Sequence, residues 1–264
     1  MIQQCVFLHS IWPNDKSHGP PSKINDSFAF EQDEEPKVEP LREEHFDRLD
    51  ETLELAFKDN PMKCYLRDTP DAKKPSRAQQ KLRKLLWKKY MKLSIELKPA
   101  YTVGAGYSVI ESLTPKKDVG RVNPIRRLFL VAVMNVYKLI SKLNSSPEQR
   151  RRQQELTRKI KALDSAHIPE DVAKEMVFVE TLATHPEHQG RGYASALLKT
   201  ALFSADIHGC AVYLHTSNPA NIGFYGLFGF EDVGGVLLGS DNPSWKGPPI
   251  RFALMVRKAN AVEK

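Results

Sequence analysis

Cysteine is scarce in this chain: Cys5, Cys64 and Cys210 are the only three in 264 residues, far apart and without a C-x-x-C pair. That scarcity excludes a disulfide framework and offers no zinc-finger spacing, so a reducing compartment, cytoplasmic or nuclear, is the expected setting. Long apolar runs are lacking too. Leu128–Met134 (LFLVAVM) is seven apolar residues, continued by Val136, Tyr137, Leu139, Ile140 and Leu143 but broken by Asn135, Lys138 and Lys142. A membrane helix needs about twenty predominantly apolar residues, so a buried helix or a lid is expected instead. The apolar patch Cys5–Leu8 has neither a basic leader nor a long core, so no signal peptide is read there. No G-x-x-x-x-G-K-[ST] is present, and no G-x-G-x-x-G with an acidic residue about twenty positions on, which leaves nucleoside triphosphate and dinucleotide folds without their phosphate fingerprints.

What is present is a globular composition, 41% hydrophobic and 27% charged, with charge unevenly placed around a net +7. From Asp26 to Asn60 thirteen acidic residues stand against four basic ones, and from Lys73 to Lys98 ten basic against one acidic. The two blocks could face each other. From Arg121 to Asp164 eleven Lys and Arg again outnumber three Asp and Glu. Basic surfaces of this kind can steer a polyanionic ligand, nucleic acid or anionic lipid. Solvated helix faces account for most of the excess, and the basic runs lack the interleaved aromatics of single-strand binders. Neither nucleic acid nor membrane is therefore a firm partner.

Residues 1–35 are polar and rich in turns, and a loose N-terminal extension is expected before a single domain over 36–260. Leu41–Phe57 places Phe46, Leu49, Leu53 and Ala56 on one helical face. Ser76–Leu97 predicts a second helix with Leu82, Leu85, Leu86, Tyr90, Leu93 and Leu97 as its buried stripe. Ala100–Val103 and Tyr107–Leu113 read as strands of a hairpin about Gly104-Ala105-Gly106. A helical insertion is expected over about 121–168, with an apolar helix favoured as a lid or wall of the acceptor cleft. Its second helix starts at the capping box Ser146-Pro147-Glu148-Gln149 and runs to about Ser165. Arg150, Arg151 and Arg152 crowd its first turn against the helix dipole and are a candidate anion contact. Closing strands are expected at Asp232–Leu238 and Ile250–Val256.

The densest pattern begins at Met176. The strand-like run Met176–Ala183 (MVFVETLA) leads into His185–Leu198 (HPEHQGRGYASALL), a glycine-bearing turn that opens a helix. Such a turn aims backbone N–H groups at one point beside the positive end of the helix dipole. Gln189, Gly190, Arg191, Gly192, Tyr193 and Ala194 thus form a candidate anion cradle, and Gly190 and Gly192, lacking Cβ, let a phosphate approach the main chain. Packing alone could also produce such a turn. Farther on, Ala211–His215 reads as a strand, and Asn218-Pro219 opens a short helix bearing Asn221, Phe224 and Tyr225 before Gly229-Phe230.

The two segments resemble motif A (Q/R-x-x-G-x-G/A, met by Gln189, Gly192 and Ala194) and motif B (N-x-x-x-Y-x-x-x-G-F, met by Asn221, Tyr225, Gly229 and Phe230) of the GCN5-related N-acetyltransferase, or GNAT, superfamily. In tone the chain is most similar to small-molecule N-acetyltransferases of the fungal kind. The resemblance is dense from Met176 to Glu231 and topological elsewhere. It implies an α/β (α+β) fold: a mixed, mostly antiparallel sheet splayed between strands 4 and 5, with helices on both faces. It also implies acetyl-CoA as co-substrate, no metal, and acetyl transfer to a primary amine of a small molecule by direct attack in a ternary complex. The backbone at Leu182, Ala183 and Thr184 would meet the pantetheine arm and residues 189–194 the pyrophosphate. Asn221 would orient the arm beside Phe224, and Tyr225 would protonate the thiolate, a phenol being matched to that leaving group.

Glu180, an acid among apolar neighbours on the fourth strand, is the candidate base. Phe178 and Leu182 are expected on its face, and pairing with a basic helix is the other reading. His185 and His188 are expected at the surface, and the loop Gly239–Pro249 with Trp245 beside the acceptor. The alternative function is a non-catalytic acyl-CoA-binding regulatory protein, and the chain is expected to be a monomer or homodimer.

Overall fold

The computed structural model describes residues 35–115 and 124–259; most of the expected extension and the start of the insertion lie outside the described residues. Seven strands make one sheet: β1 (Val38–Pro40), β2 (Ala100–Val103), β3 (Ser108–Leu113), β4 (Val177–Thr184), β5 (Val212–Thr216), β6 (Glu231–Leu238) and β7 (Ile250–Arg257), in the order β1-β2-β3-β4-β5-β7-β6. Every neighbouring pair is antiparallel except β4 and β5. The mixed sheet expected from the resemblance is the sheet found.

Helices cover both faces. On one lies α7 (Tyr193–Ile207), whose Leu197, Leu198, Ala201 and Leu202 are buried against Val177, Val179, Val212 and Leu214. On the other lie α1 (Phe46–Ala56), α2 (Pro61–Arg67), α3 (Arg77–Ser94), α4 (Pro124–Asn144) and α5 (Pro147–His167). The one-turn α6 (Glu170–Ala173) leads into β4, and α8 (Pro219–Gly226) follows β5. The acidic and basic blocks do meet, as a ladder between α1 with its preceding turn and α3: Lys92 to Glu43 at 2.6 Å, Lys88 to Asp47 at 2.8 Å, Lys84 to Asp47 at 2.9 Å and Arg83 to Glu54 at 2.8 Å. Exposed pairs of this kind set orientation more than stability.

Several expectations are corrected. Helix α3 buries Trp87, Tyr90, Met91 and Ser94, while Leu82 and Leu85 are exposed. The core wanted the larger Trp87 beside Phe46, their rings 5.9 Å apart, and that choice rotates the helix away from its leucines. Helix α4 lies antiparallel to α3, tied by Arg126 to Glu96 and by Gln79 to Asn144, each at 2.6 Å. Its inner side, with Leu130, Val133, Met134 and Tyr137, joins the core that α1 and α3 share. Packed behind α3, it lines neither of the cavities described below and is not a lid.

The capping box at Ser146 forms as expected, with Ser146 Oγ accepting from the Gln149 N–H at 3.1 Å and the Gln149 side chain accepting from the Ser146 N–H at 3.0 Å. Two of the three arginines beside it are engaged within the fold, while Arg151 is exposed. Arg152 is fully buried, donating to the Tyr65 carbonyl at 2.6 Å and to Glu148 at 2.9 Å, and Arg150 caps α4 by donating to the Ser145 carbonyl at 2.9 Å. The dipole is opposed here because these cations satisfy carbonyls at the ends of other helices.

Candidate active site

The parallel pairing of β4 with β5 lasts three residues, Val177 with Val212, Phe178 with Tyr213 and Val179 with Leu214. Beyond it the strands part, and Glu180–Thr184 has no β5 partner. An open cleft of about 910 Å³ follows, within the size range of small-ligand sites. Leu182, Ala183, Thr184, Gln189, Gly190, Gly192, Tyr193, Ala194, Asn221 and Phe224 all line it, as does Tyr225. Arg191 does not, because its guanidinium turns back onto the Glu187 carbonyl at 3.3 Å.

At one end of this cleft Gly190 and Gly192 hold φ of 76° and 75°, the left-handed conformation that glycine adopts without strain. A Cβ built on Gly190 meets nothing within 4 Å, and one on Gly192 only Pro36 Cγ at 3.8 Å, so the main chain is bare toward the cleft. Gly192 is the N-cap of α7, whose first turn carries no acidic side chain to compete for its N–H groups. The Gln189 side chain donates to the Thr184 carbonyl at 3.3 Å and ties the turn to the strand end. His185 is buried, contrary to expectation, because its Nδ1 accepts from the Glu187 N–H at 3.3 Å and its ring packs edge-on to Tyr107. His188 stacks on Tyr107 with ring centres 3.7 Å apart and faces the cleft.

A β-bulge shapes the other end. Ser112 pairs with Val179 and Glu111 with Thr181, so Glu180 is an extra residue without a partner on β3. A bulge re-aims a side chain and reverses the alternation beyond it. Leu182 consequently packs with Val179 toward α7, and the expected sharing of one face by Phe178 and Leu182 is corrected.

Glu180 points into a second, smaller cavity of about 120 Å³ under α1, α2 and α3, which Glu111 also lines. Lys98 Nζ donates to Glu180 Oε2 and lies 3.8 Å from Glu111 Oε1. Glu180 is thus ion-paired, though its partner stands in the turn after α3 and not on a basic helix. Yet Glu180 Oε1 and Glu111 Oε1 are both buried without a hydrogen-bond partner, a costly arrangement that a donor entering the cavity would relieve. Burial first, and then the neighbouring Glu180 charge, push the Glu111 carboxyl above its ordinary range against the pull of Lys98. On the opposite wall Lys63 is buried with its ammonium 4.1 Å over the Phe57 ring, and burial lowers its pKa to about 7, with Arg67 and Arg83 adding to the shift.

The two spaces adjoin. Phe57, Asn60, Leu182, Asn221 and Tyr225 line both, so Tyr225 stands at the junction of cradle and carboxylates. Burial raises its phenol to about 12 and keeps it protonated. Asn218 caps the short helix that carries it, its side chain accepting from the Ala220 N–H at 3.1 Å. Lys98, Glu111 and Lys63 were missed by sequence reasoning. Glu111 carried the same signal as Glu180, an acid inside an apolar strand, whereas Lys98 is hidden at the end of a basic run. The loop bearing Trp245 closes elsewhere, its indole edge-on to Tyr65 with ring centres 5.2 Å apart. Among the described residues no group of His, Cys, Asp and Glu is arranged to hold a metal ion.

Comparison with known proteins bears on the same region. Residues 160–230, which span α5 to α8, match the acetyltransferase (GNAT) family. Among solved structures, the histone acetyltransferase HPA2 and related acetyltransferase of Corynebacterium glutamicum is 21% identical, over 86% of this chain and 98% of that one, with a TM-score of 0.50. An N-acetyltransferase from Staphylococcus aureus is 12% identical over 85% of this chain and 99% of its own, with a TM-score of 0.46. A phosphinothricin acetyltransferase from Sinorhizobium meliloti, solved in complex with AcCoA, is 14% identical over 85% and 89%, with a TM-score of 0.44. At such identities the first likeness speaks to the fold.

Proposed function

Since the chain carries a GNAT acetyltransferase domain, we propose that it transfers acetyl from acetyl-CoA to a primary amine of a small molecule by direct attack in a ternary complex. The observation that carries this reading is the wall shared by the cleft and the carboxylate cavity, on which Tyr225, Asn221 and Leu182 stand. Bound acetyl-CoA supplies an acetyl thioester and, after transfer, a thiolate leaving group.

The chain's residues divide the remaining work. The bare main chain at Gly190 and Gly192 receives the pyrophosphate on the N-terminus of α7, and the unpaired edge at Leu182–Thr184 receives the amide-bearing arm. A main-chain N–H near Leu182 polarises the thioester carbonyl, and a donor so placed contributes about 3–4 kcal/mol to the transition state. Tyr225 Oη donates a proton to the departing sulfur. On the acceptor side the two carboxylate oxygens without hydrogen-bond partners receive the amine's N–H groups. Glu111, held above the usual carboxylate range, takes the proton that the amine must lose, while Lys98 fixes Glu180 beside it. The small volume of this cavity, about 120 Å³, favours a compact acceptor.

Coenzyme A release measured across a panel of amines, followed by mass-shift identification of the acetylated product, tests the reading. Saturable acetyl-CoA binding without release for any amine would favour the regulatory alternative instead.

A further inference from the structure

Helix α4 turns an apolar ridge to solvent. Ile125, Leu128, Phe129, Val136, Leu139 and Leu143 are 46–73% exposed. At 100° per residue they fall on one stripe, opposite the buried Tyr137. Neighbouring α3 adds exposed Leu82 and Leu85. Monomeric soluble proteins rarely leave a continuous apolar surface of this extent to water, and it does no work in the core.

The charge around the ridge selects what covers it. Helix α4 contains no Asp or Glu, and Lys142 of α4 with Lys81 and Lys89 of α3 are exposed cations that no carboxylate pairs among the described residues. A second copy meeting this face across a two-fold axis would set those lysines against their own counterparts. A nucleic acid would satisfy the cations and leave the apolar side chains wet. An anionic bilayer surface satisfies both, with the ridge sunk to the acyl boundary and the lysines at headgroup level.

We propose that the α3–α4 face docks the protein on anionic lipid membranes, α4 lying in the plane of the interface. Among the described residues no helix is long and apolar enough to span a bilayer, so the association is peripheral and reversible. The proposal is independent of the acetyl-transfer reading, since neither catalytic wall contains a residue of α4.

Co-sedimentation of the full chain with vesicles of phosphatidylcholine alone, and of phosphatidylcholine with phosphatidylserine, tests it. Binding is expected on the second and at least about tenfold weaker on the first, and it should weaken as salt rises. Leu128→Glu with Leu139→Glu should lower binding about tenfold or more while leaving the melting temperature unchanged, because both side chains are already in water. The triple change Lys81→Ser, Lys89→Ser, Lys142→Ser, wholly at the surface, should remove the preference for phosphatidylserine. Failure to bind either vesicle would overturn the proposal. So would a dimer, seen by light scattering, that dissociates in the leucine variant, or tighter binding to duplex DNA than to the anionic vesicles at equal salt.

Discussion

On the proposed mechanism Tyr225 and Glu111 divide the proton traffic between them, and each role can be tested by removing a single function. Tyr225→Phe keeps the buried ring against Phe230, whose centre is 5.8 Å away, and deletes only the donor. Turnover should fall about 10²-fold with little change in coenzyme binding, read as kcat against the dissociation constant. Glu111→Gln keeps the shape and leaves Lys98 on Glu180. The expected result is a rate loss of about 10²-fold or more and the disappearance of the rise in rate with pH that Glu111 imposes as it deprotonates. Stability should move the opposite way. Because the folded-state pKa of Glu111 is raised, its contribution is full below the ordinary carboxylate value and is lost as pH climbs through the raised one. The glutamine variant should therefore gain in melting temperature on the parent as pH rises through that window.

At the scale of elements, the sequence located most helices and strands but missed β1 and the short α2, and misjudged which side of α3 faces inward. Leucine count favoured Leu82 and Leu85, whereas the site beside Phe46 needed the volume of Trp87, and no one-dimensional pattern records the shape of a partner helix. The bulge at Glu180 was invisible for a related reason. It is a register difference between two strands and exists in neither alone. Motif residues fared better because turn chemistry is local: Gln189, Gly190, Gly192, Asn221 and Tyr225 all reach the cleft, while Lys98 and Glu111 become neighbours only through the tertiary fold. The ladder between α1 and α3 was foreseeable from charge blocks, and its energetic weight is small. Asp47, held at about 2 first by its bond to Lys88 and then by Lys84, is mostly exposed. Asp47→Asn should cost at most about 1 kcal/mol, an effect that vanishes in high salt. It should also vanish as pH falls from the ordinary aspartate value toward 2, where the parent loses the same interaction.

For the whole molecule, coenzyme binding should act as a stability switch. Acetyl-CoA at 100 times its dissociation constant is expected to stabilise the fold by about 2.7 kcal/mol, measured as a thermal shift. Gly192→Glu, which sets an anion in the cradle, should abolish that shift. An equal shift in parent and variant would remove the cradle from the site.

The short β4–β5 seam has a mechanical meaning as well. Three rungs, Val177 to Val179 on β4, are all that laces the blade β1-β2-β3-β4 to the blade β5-β7-β6. A sheet joined over so short a length is two leaves held by those rungs and by α7, which packs on both, with the end at Glu180–Thr184 left unlaced. A ligand lodged there would serve as the missing thread, pinning the leaves together from one side. Amide exchange at Glu180–Thr184 should then slow sharply when the cleft fills, while the distant β6–β7 ladder keeps its own pace.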